Sequence, residues 1–164
     1  MSILKLLQYP DPILTEKANP VEVIDEKIKK LVEDMVETMY ALPGIGLAAP
    51  QVGESLRVIT LDVTRQGEEL IVLINPEIVS SEGTCSEEEG CLSVSDFREA
   101  IQRKERLLVK GLDLEGREIQ ILAEGLLAIT FQHEIDHLDG LLIIDRVSRL
   151  KRDIYKKKLQ KKKT

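Results

Sequence analysis

The segment His133-Glu134-Ile135-Asp136-His137 holds the only two histidines of the chain and closes the apolar run that begins at Gly125. Residues four apart share a face only on a helix, where their Cβ atoms lie ~5–6 Å from each other. The run Leu126-Leu-Ala-Ile-Thr-Phe-Gln132 favours a helix, and Gly140 offers a C-terminal cap, so a helix over about 125–138 is predicted. A helix this apolar belongs in the interior, where a polar pair needs partners, and one metal ion would satisfy both imidazoles. The intervening glutamate can then take a proton from water on that ion, which points to metal-assisted hydrolysis. The plainer alternative is two solvated histidines with no ion between them.

A catalytic site of this kind has three protein ligands and an open position. With no histidine left, the third ligand must be Cys, Asp or Glu. Glu89-Gly-Cys-Leu-Ser93 is the best source, because Gly90 permits a tight backbone and Cys91 can present a thiolate. Cys85 is the rival, and spacing does not choose between them; either could instead be a small buried residue. The first residues are too short a run, broken at Pro10, for a secretory signal, so a cytoplasmic protein is expected, with no disulfide between Cys85 and Cys91.

At 164 residues, one domain spanning 1–164 is expected. Hydrophobic residues make up 43% and aromatics 3%, without tryptophan, so Leu, Ile and Val must fill the interior. No apolar run approaches the ~20 residues needed to cross a bilayer, and no membrane partner is expected. Residues 1–24 read as irregular, punctuated by Pro10, Pro12 and Pro20. Ile28, Leu31, Val32, Met35 and Met39 repeat at helical spacing over 25–41, between Asp25 as N-cap and Pro43-Gly44 as stop. Segments 56–63, 69–79, 106–114 and 117–123 read as strands, with turns at Arg65-Gln-Gly67 and Glu115-Gly116. A last helix covers about 147–160. Strands in the middle with helices at the ends predict an α+β fold, mostly antiparallel strands around a central metal-binding helix.

A third segment, Gly44-Ile-Gly-Leu-Ala-Ala-Pro-Gln-Val-Gly53, has small residues that let another chain approach closely. Its Gln51 amide could donate to a developing oxyanion. Read alone, a glycine-alanine turn before a strand is the plainer account. No Gly-Lys-Ser/Thr follows, so it is not a phosphate loop.

Together the three segments resemble the peptide deformylase family, which carries Gly-x-Gly-x-Ala-Ala-x-Gln, Glu-Gly-Cys-Leu-Ser and Gln-His-Glu-x-Asp-His-Leu in this order. Here they stand at 44–51, 89–93 and 132–138, and the likeness extends over nearly the whole length, to the compact form with a basic, helical C-terminus. The resemblance implies removal of the formyl group from the formyl-methionine of nascent polypeptides, with release of formate. It implies Cys91, His133 and His137 as ligands of one divalent metal, usually Fe2+, with Zn2+, Ni2+ or Co2+ possible in purified protein. It implies Glu134 as general acid/base, and Gln51 with the Leu92 backbone N–H as oxyanion donors. Gly46 would hold substrate through its backbone; Ile45, Leu126 and Ile129 would line the methionine pocket; Arg98 is kept from many members. Ser95 stands where many members have proline, Glu87 where a hydrophobic pocket residue is common, and Thr130 where cysteine is frequent. Each ligand histidine also needs an acceptor for its other N–H; Glu89 and Asp136 are the candidates.

The net charge of −6 conceals an asymmetry: Arg146–Thr164 carries ten Lys/Arg against Asp153, giving +9, so residues 1–145 carry −15. The basic 147–164 helix is either a solvated face or a dock for a polyanion such as ribosomal RNA; no DNA partner is expected. Two rival functions remain. A metalloprotease would usually draw its third ligand, His or Glu, from downstream, whereas no later histidine follows here and Cys91 lies upstream. A non-catalytic metal protein docking on RNA would close its site with Cys85 as fourth ligand.

Overall fold

The computed structural model describes residues 2–162. Asp25 caps helix α1 (Glu26–Ala41) by accepting from the Ile28 N–H at 3.1 Å, and the helix ends before Pro43. Strands β1 (Gly46–Ala48), β2 (Val58–Leu61), β3 (Ile71–Glu82), β6 (Arg106–Leu112) and β7 (Glu118–Glu124) form one antiparallel sheet in the order β1-β2-β3-β6-β7. Strands β4 (Cys85–Cys91) and β5 (Val94–Arg103) form a separate antiparallel hairpin. The α+β architecture is as expected from sequence.

Helix α2 (Leu126–Leu138) lies between the two sheets. Its first residues follow Gly125 at φ 62°, and Gly140 at φ 75° ends it where a Cβ would meet the Thr15 carbonyl oxygen at 2.6 Å. Phe131, Ile135 and Leu138 pack against Ile59, Leu61, Leu73 and Val109 of the sheet. The sheet's other side covers α1 through Val32, Met35, Met39, Leu47, Val58 and Ile74. A third cluster joins the hairpin to both ends of the chain: Leu14, Phe97, Ile101, Ile143, Ile144 and Tyr155.

Helix α3 (Arg149–Lys162) is the basic C-terminal helix, and residues 163 and 164 of the predicted 147–164 segment lie outside the described residues. It rests on β5. The Tyr155 hydroxyl donates to the Ser95 carbonyl at 2.8 Å and its ring meets Phe97 edge-on at 5.1 Å. Lys151 pairs with Glu99 at 2.9 Å, and Lys162 with Asp96. Part of the positive charge is thus neutralised within the fold, while Lys156, Lys157 and Lys158 remain exposed.

The irregular start predicted over 1–24 contains one short 3-10 turn, Pro12–Thr15. The sequence reading did not anticipate β1, β4 and β5. β1 is only three residues long. The hairpin is half polar, with Glu87, Glu88 and Arg98 on exposed positions, so it lacks the apolar alternation that marks a strand.

Candidate active site

Cys91 is the last residue of β4 and both histidines lie on α2, so the site forms where the hairpin tip meets the central helix. Cys91 Sγ lies 3.4 Å from His137 Nε2, and the rings of His133 and His137 meet at 67° with centroids 5.0 Å apart. One donor atom from each of Cys91, His133 and His137 falls within 4.8 Å of the others. Cys85 is not part of this cluster; its sulphur is turned toward the Lys104 carbonyl at 4.0 Å.

His133 Nδ1 faces Glu89 Oε1 at 3.1 Å, which leaves Nε2 for the centre of the cluster. Glu89 is gripped by the Arg103 guanidinium at 2.8 and 2.9 Å. Arg103 also reaches Asp136 at 2.7 Å, and Arg146 closes on Asp136 from the other side at 2.7 and 3.1 Å. Glu89 is therefore the histidine acceptor, whereas Asp136 serves two arginines instead.

Burial opposes charge on His133, yet its contacts with Cys91 and Glu89 and the nearby Glu134 charge outweigh burial and hold its pKa well above the usual value. Burial, reinforced by the His133 and Arg103 charges, pushes His137 well below its usual value. Burial also resists ionisation of Glu89, but Arg103 and His133 hold that carboxyl below its ordinary range. Glu134 is 4% exposed, and burial lifts its pKa to about 7. Its Oε1 and the His137 Nδ1 have no hydrogen-bond partner among the described residues. An uncompensated buried carboxylate oxygen beside a Cys/His/His donor set fits a divalent metal with an open position, and the residues present suit such an ion.

An open cleft of about 1340 Å3 runs past these groups, lined by Cys91, His133 and Glu134. Ile45, Gly46, Gln51, Leu92, Arg98, Leu126 and Ile129, all named from sequence, line the same cleft. The glycines of the 44–46 segment let side chains of the site approach the backbone closely. A Cβ on Gly44 would sit 2.9 Å from Leu92 Cδ1, and one on Gly46 would sit 2.4 Å from Glu134 Oε2. Gln51 is 2% exposed: its Oε1 accepts from the Ala48 N–H at 3.0 Å, and its Nε2 donates to Ser93 Oγ at 3.1 Å and lies 3.9 Å from Cys91 Sγ. Leu92 and Ser93 form the two-residue turn of the hairpin, between the paired Cys91 and Val94.

Of the positions that depart from the motif pattern, Glu87 and Thr130 line the cleft and Ser95 does not; none belongs to the donor cluster. Glu87 is exposed and lines the cleft. Ser95 falls in a bulge, where β5 has three residues more than β4 between the Cys91–Val94 and Gly90–Arg98 pairs. Thr130 returns its hydroxyl to the Leu126 carbonyl at 2.8 Å, so it adds no free polar group. Arg98 lies across Gly90 and pairs with Glu88 at 2.7 Å. Sequence reasoning did not single out Arg103 or Ser93. Arg98, Arg103 and Lys104 all lie between the predicted strands 69–79 and 106–114, so nothing in the sequence set Arg103 apart, and Ser93 carried no signal beyond its place in the motif.

The family profile for polypeptide deformylase matches residues 3–153. The chain belongs to that family. The peptide deformylase of Syntrophobacter fumaroxidans is 55% identical over 99% of this chain and 96% of its own length. That of Thermodesulfovibrio yellowstonii is 53% identical over 99% of this chain and all of its own. Among solved structures, a peptide deformylase from Legionella pneumophila superposes with a TM-score of 0.93 at 48% identity, covering 99% of this chain and 96% of that one. One from Ehrlichia chaffeensis in complex with actinonin gives 0.90 at 41%, covering 99% and 98%. Deformylases are metal-dependent hydrolases that remove the N-formyl group from nascent chains, and the Cys/His/His cluster is where this chain can hold the metal. The protease and closed-site readings lose their support, since the third donor comes from upstream and Cys85 stands apart.

Proposed function

We propose that this chain, as one catalytic domain over 1–164, hydrolyses the formyl group from the formyl-methionine of nascent polypeptides at the Cys91/His133/His137 cluster. The observation that carries this is the unpartnered, buried Glu134 Oε1 beside three convergent donors in an open cleft. Cys91 Sγ, His133 Nε2 and His137 Nε2 hold one divalent metal, ferrous iron in the cell. Held there, such an ion would supply Lewis acidity, bringing the pKa of water from ~15.7 toward ~7.

Glu134 takes the proton of the attacking water and passes it to the leaving amine; a carboxyl with a pKa near 7 is suited to both transfers. Negative charge grows on the formyl oxygen, where the Gln51 Nε2–H and the Leu92 N–H receive it. Losing one such donor typically costs ~2.7–4 kcal/mol of barrier. β1 is an edge strand, so its backbone at Gly46 can pair with an extended peptide. Ile45, Leu126 and Ile129 form the apolar wall for the methionine side chain, and Arg98 borders the chain beyond it.

The decisive experiment is formate release from a formyl-Met peptide by anaerobic, ferrous-loaded protein, with acetyl-Met peptide as the inert control. No release at full metal load would refute the reading. A thiolate ligand makes an iron site prone to oxidation, so air should inactivate the ferrous form while a nickel-loaded form survives; equal lifetimes would argue against iron. No helix among the described residues is long and apolar enough to cross a membrane, and the enzyme works in the cytoplasm. The exposed lysines of α3 dock on the ribosome. Binding should weaken steeply with salt and vanish without residues 149–164; unchanged binding by the truncated chain would leave α3 a solvated face.

A further inference from the structure

The two oxyanion donors sit in short, irregular backbone. Gln51 belongs to the four-residue 3-10 turn Ala49–Val52, and Leu92 opens a two-residue hairpin turn. Neither segment is long enough to hold its own geometry, so something outside must fix both.

Three consecutive residues of the N-terminal segment do so. The Leu7 N–H donates to the Gln51 carbonyl at 2.7 Å, and the Tyr9 N–H donates to the Ser93 carbonyl at 2.8 Å. Between them, Gln8 Nε2 donates to the Leu92 carbonyl at 2.8 Å. The Gln51 side chain closes the loop with its 3.1 Å bond to Ser93 Oγ. We propose that Leu7–Tyr9 is the positioning element of the oxyanion site, and that the Gln8 side-chain amide is the positioning residue that sets the Leu92 N–H. This rests on the deformylase reading and deepens it.

Gln8 fits that task better than a role in folding. It is exposed, and a single exposed hydrogen bond adds little to the fold. It does not line the cleft, so it acts through Leu92 and not on the substrate. In a β-turn the hydrogen bond joins residue i to residue i+3, which leaves the i+1 N–H, here that of Leu92, without a turn partner. Its direction follows from the two soft dihedrals of Leu92 and its neighbour. The Leu92 N–H shares a rigid peptide plane with the Cys91 carbonyl, and the Leu92 carbonyl lies in the next plane, hinged to it at the Leu92 Cα, so holding that carbonyl limits the swing of the N–H. Oxyanion donors must be held within ~0.5 Å of the productive position, a tolerance a free turn exceeds.

The test compares nickel-loaded wild type with Gln8→Met, which keeps the side-chain length but loses the N–H, and Gln8→Lys, which restores a donor. Formate release from a formyl-Met-Ala-Ser peptide gives kcat and KM; bound nickel and thermal midpoint are measured on each variant. Gln8→Met should lose about tenfold in kcat, less than the ~10²–10³ for outright loss of a donor. KM, nickel content and thermal midpoint should stay unchanged, and Gln8→Lys should recover most of the rate. A merely structural brace would instead lower the thermal midpoint together with kcat, and Gln8→Lys would rescue neither; that result overturns the proposal. Gln51→Leu, run alongside, separates the two levels. If it loses turnover and Gln8→Met does not, the positioning role is refuted and the oxyanion assignment stands. If neither loses turnover, the oxyanion assignment fails and takes the positioning role with it.

Discussion

Gly46→Ala should leave the fold and the metal intact and still disable the enzyme. The added Cβ would lie 2.4 Å from Glu134 Oε2 and 3.0 Å from both Cδ and Cγ. Non-bonded atoms settle at ~3.5–4.0 Å, so the carboxylate must retreat by about 1 Å. The backbone accepts the change, because Gly46 lies in extended β1 and not in the left-handed region. Alanine trims the freedom of the unfolded chain, a gain of ~0.4–1 kcal/mol. Turning Glu134 off its rotamer costs ~0.5–1.5 kcal/mol. These nearly cancel, so the net stability change should stay within about 1 kcal/mol. Catalysis has no such cancellation. A misplacement of ~1 Å can cost ~10²-fold, and general acid/base catalysis is itself worth ~10²–10⁴. We expect kcat to fall about 10²-fold, or ~2.7 kcal/mol, with KM changed far less. The assay is formate release on nickel-loaded protein, with metal stoichiometry and urea midpoint measured on the same preparation. In a Glu134→Gln background the same alanine should add less than about threefold, since coupled residues do not add. A Gly46→Ala protein with kcat within threefold of wild type would refute the argument, as would one that lost its metal.

Two further perturbations probe the charges behind the site. Arg103 is 3% exposed between Glu89 and Asp136; Arg103→Met leaves buried Glu89 without its guanidinium, while Arg146 still holds Asp136, and should cost about 3 kcal/mol in urea unfolding. It should also speed nickel loss to a chelator, because Glu89 without its clamp fixes His133 less firmly; a loss under 1 kcal/mol with unchanged nickel release would show the network to be idle. Burial would raise the Asp62 pKa, but hydrogen bonds from Thr64, Tyr40 and Gly67 outweigh it and hold the carboxyl at about 2, below its ordinary 3.8. A depressed folded pKa gives stability that is complete above the unfolded pKa and is lost as pH falls through the folded one. Wild-type stability should therefore drop between about pH 4 and 2, and Asp62→Asn should flatten that limb; parallel pH profiles for the two proteins would count against it.

Much of the site was legible in the sequence because its chemistry is local. Gly125, the apolar run and Gly140 define α2, and helical spacing alone brings His133, Glu134 and His137 together. The glycines at 44 and 46 announced a close approach, which proved to be to Leu92 and Glu134. What stayed hidden depends on partners far away in the chain. β4 and β5 pair charged stretches, and their inward residues reveal a strand only once α2 and the chain ends cover them. Asp136 sits beside His137 in sequence, yet its carboxylate is taken by Arg103 and Arg146, 33 and 10 residues away. Gln8 and Leu92 are 84 residues apart. A motif records the groups that touch the reacting atoms, while the groups that hold them still are spread along the chain and carry no fixed spacing. For the same reason the departures at Glu87 and Ser95 stand apart from the Cys91/His133/His137 cluster: they lie on the hairpin, and the cluster is held by α2, Glu89 and Arg103. Substitutions there should retune which peptides enter the cleft while leaving the hydrolytic step as it is.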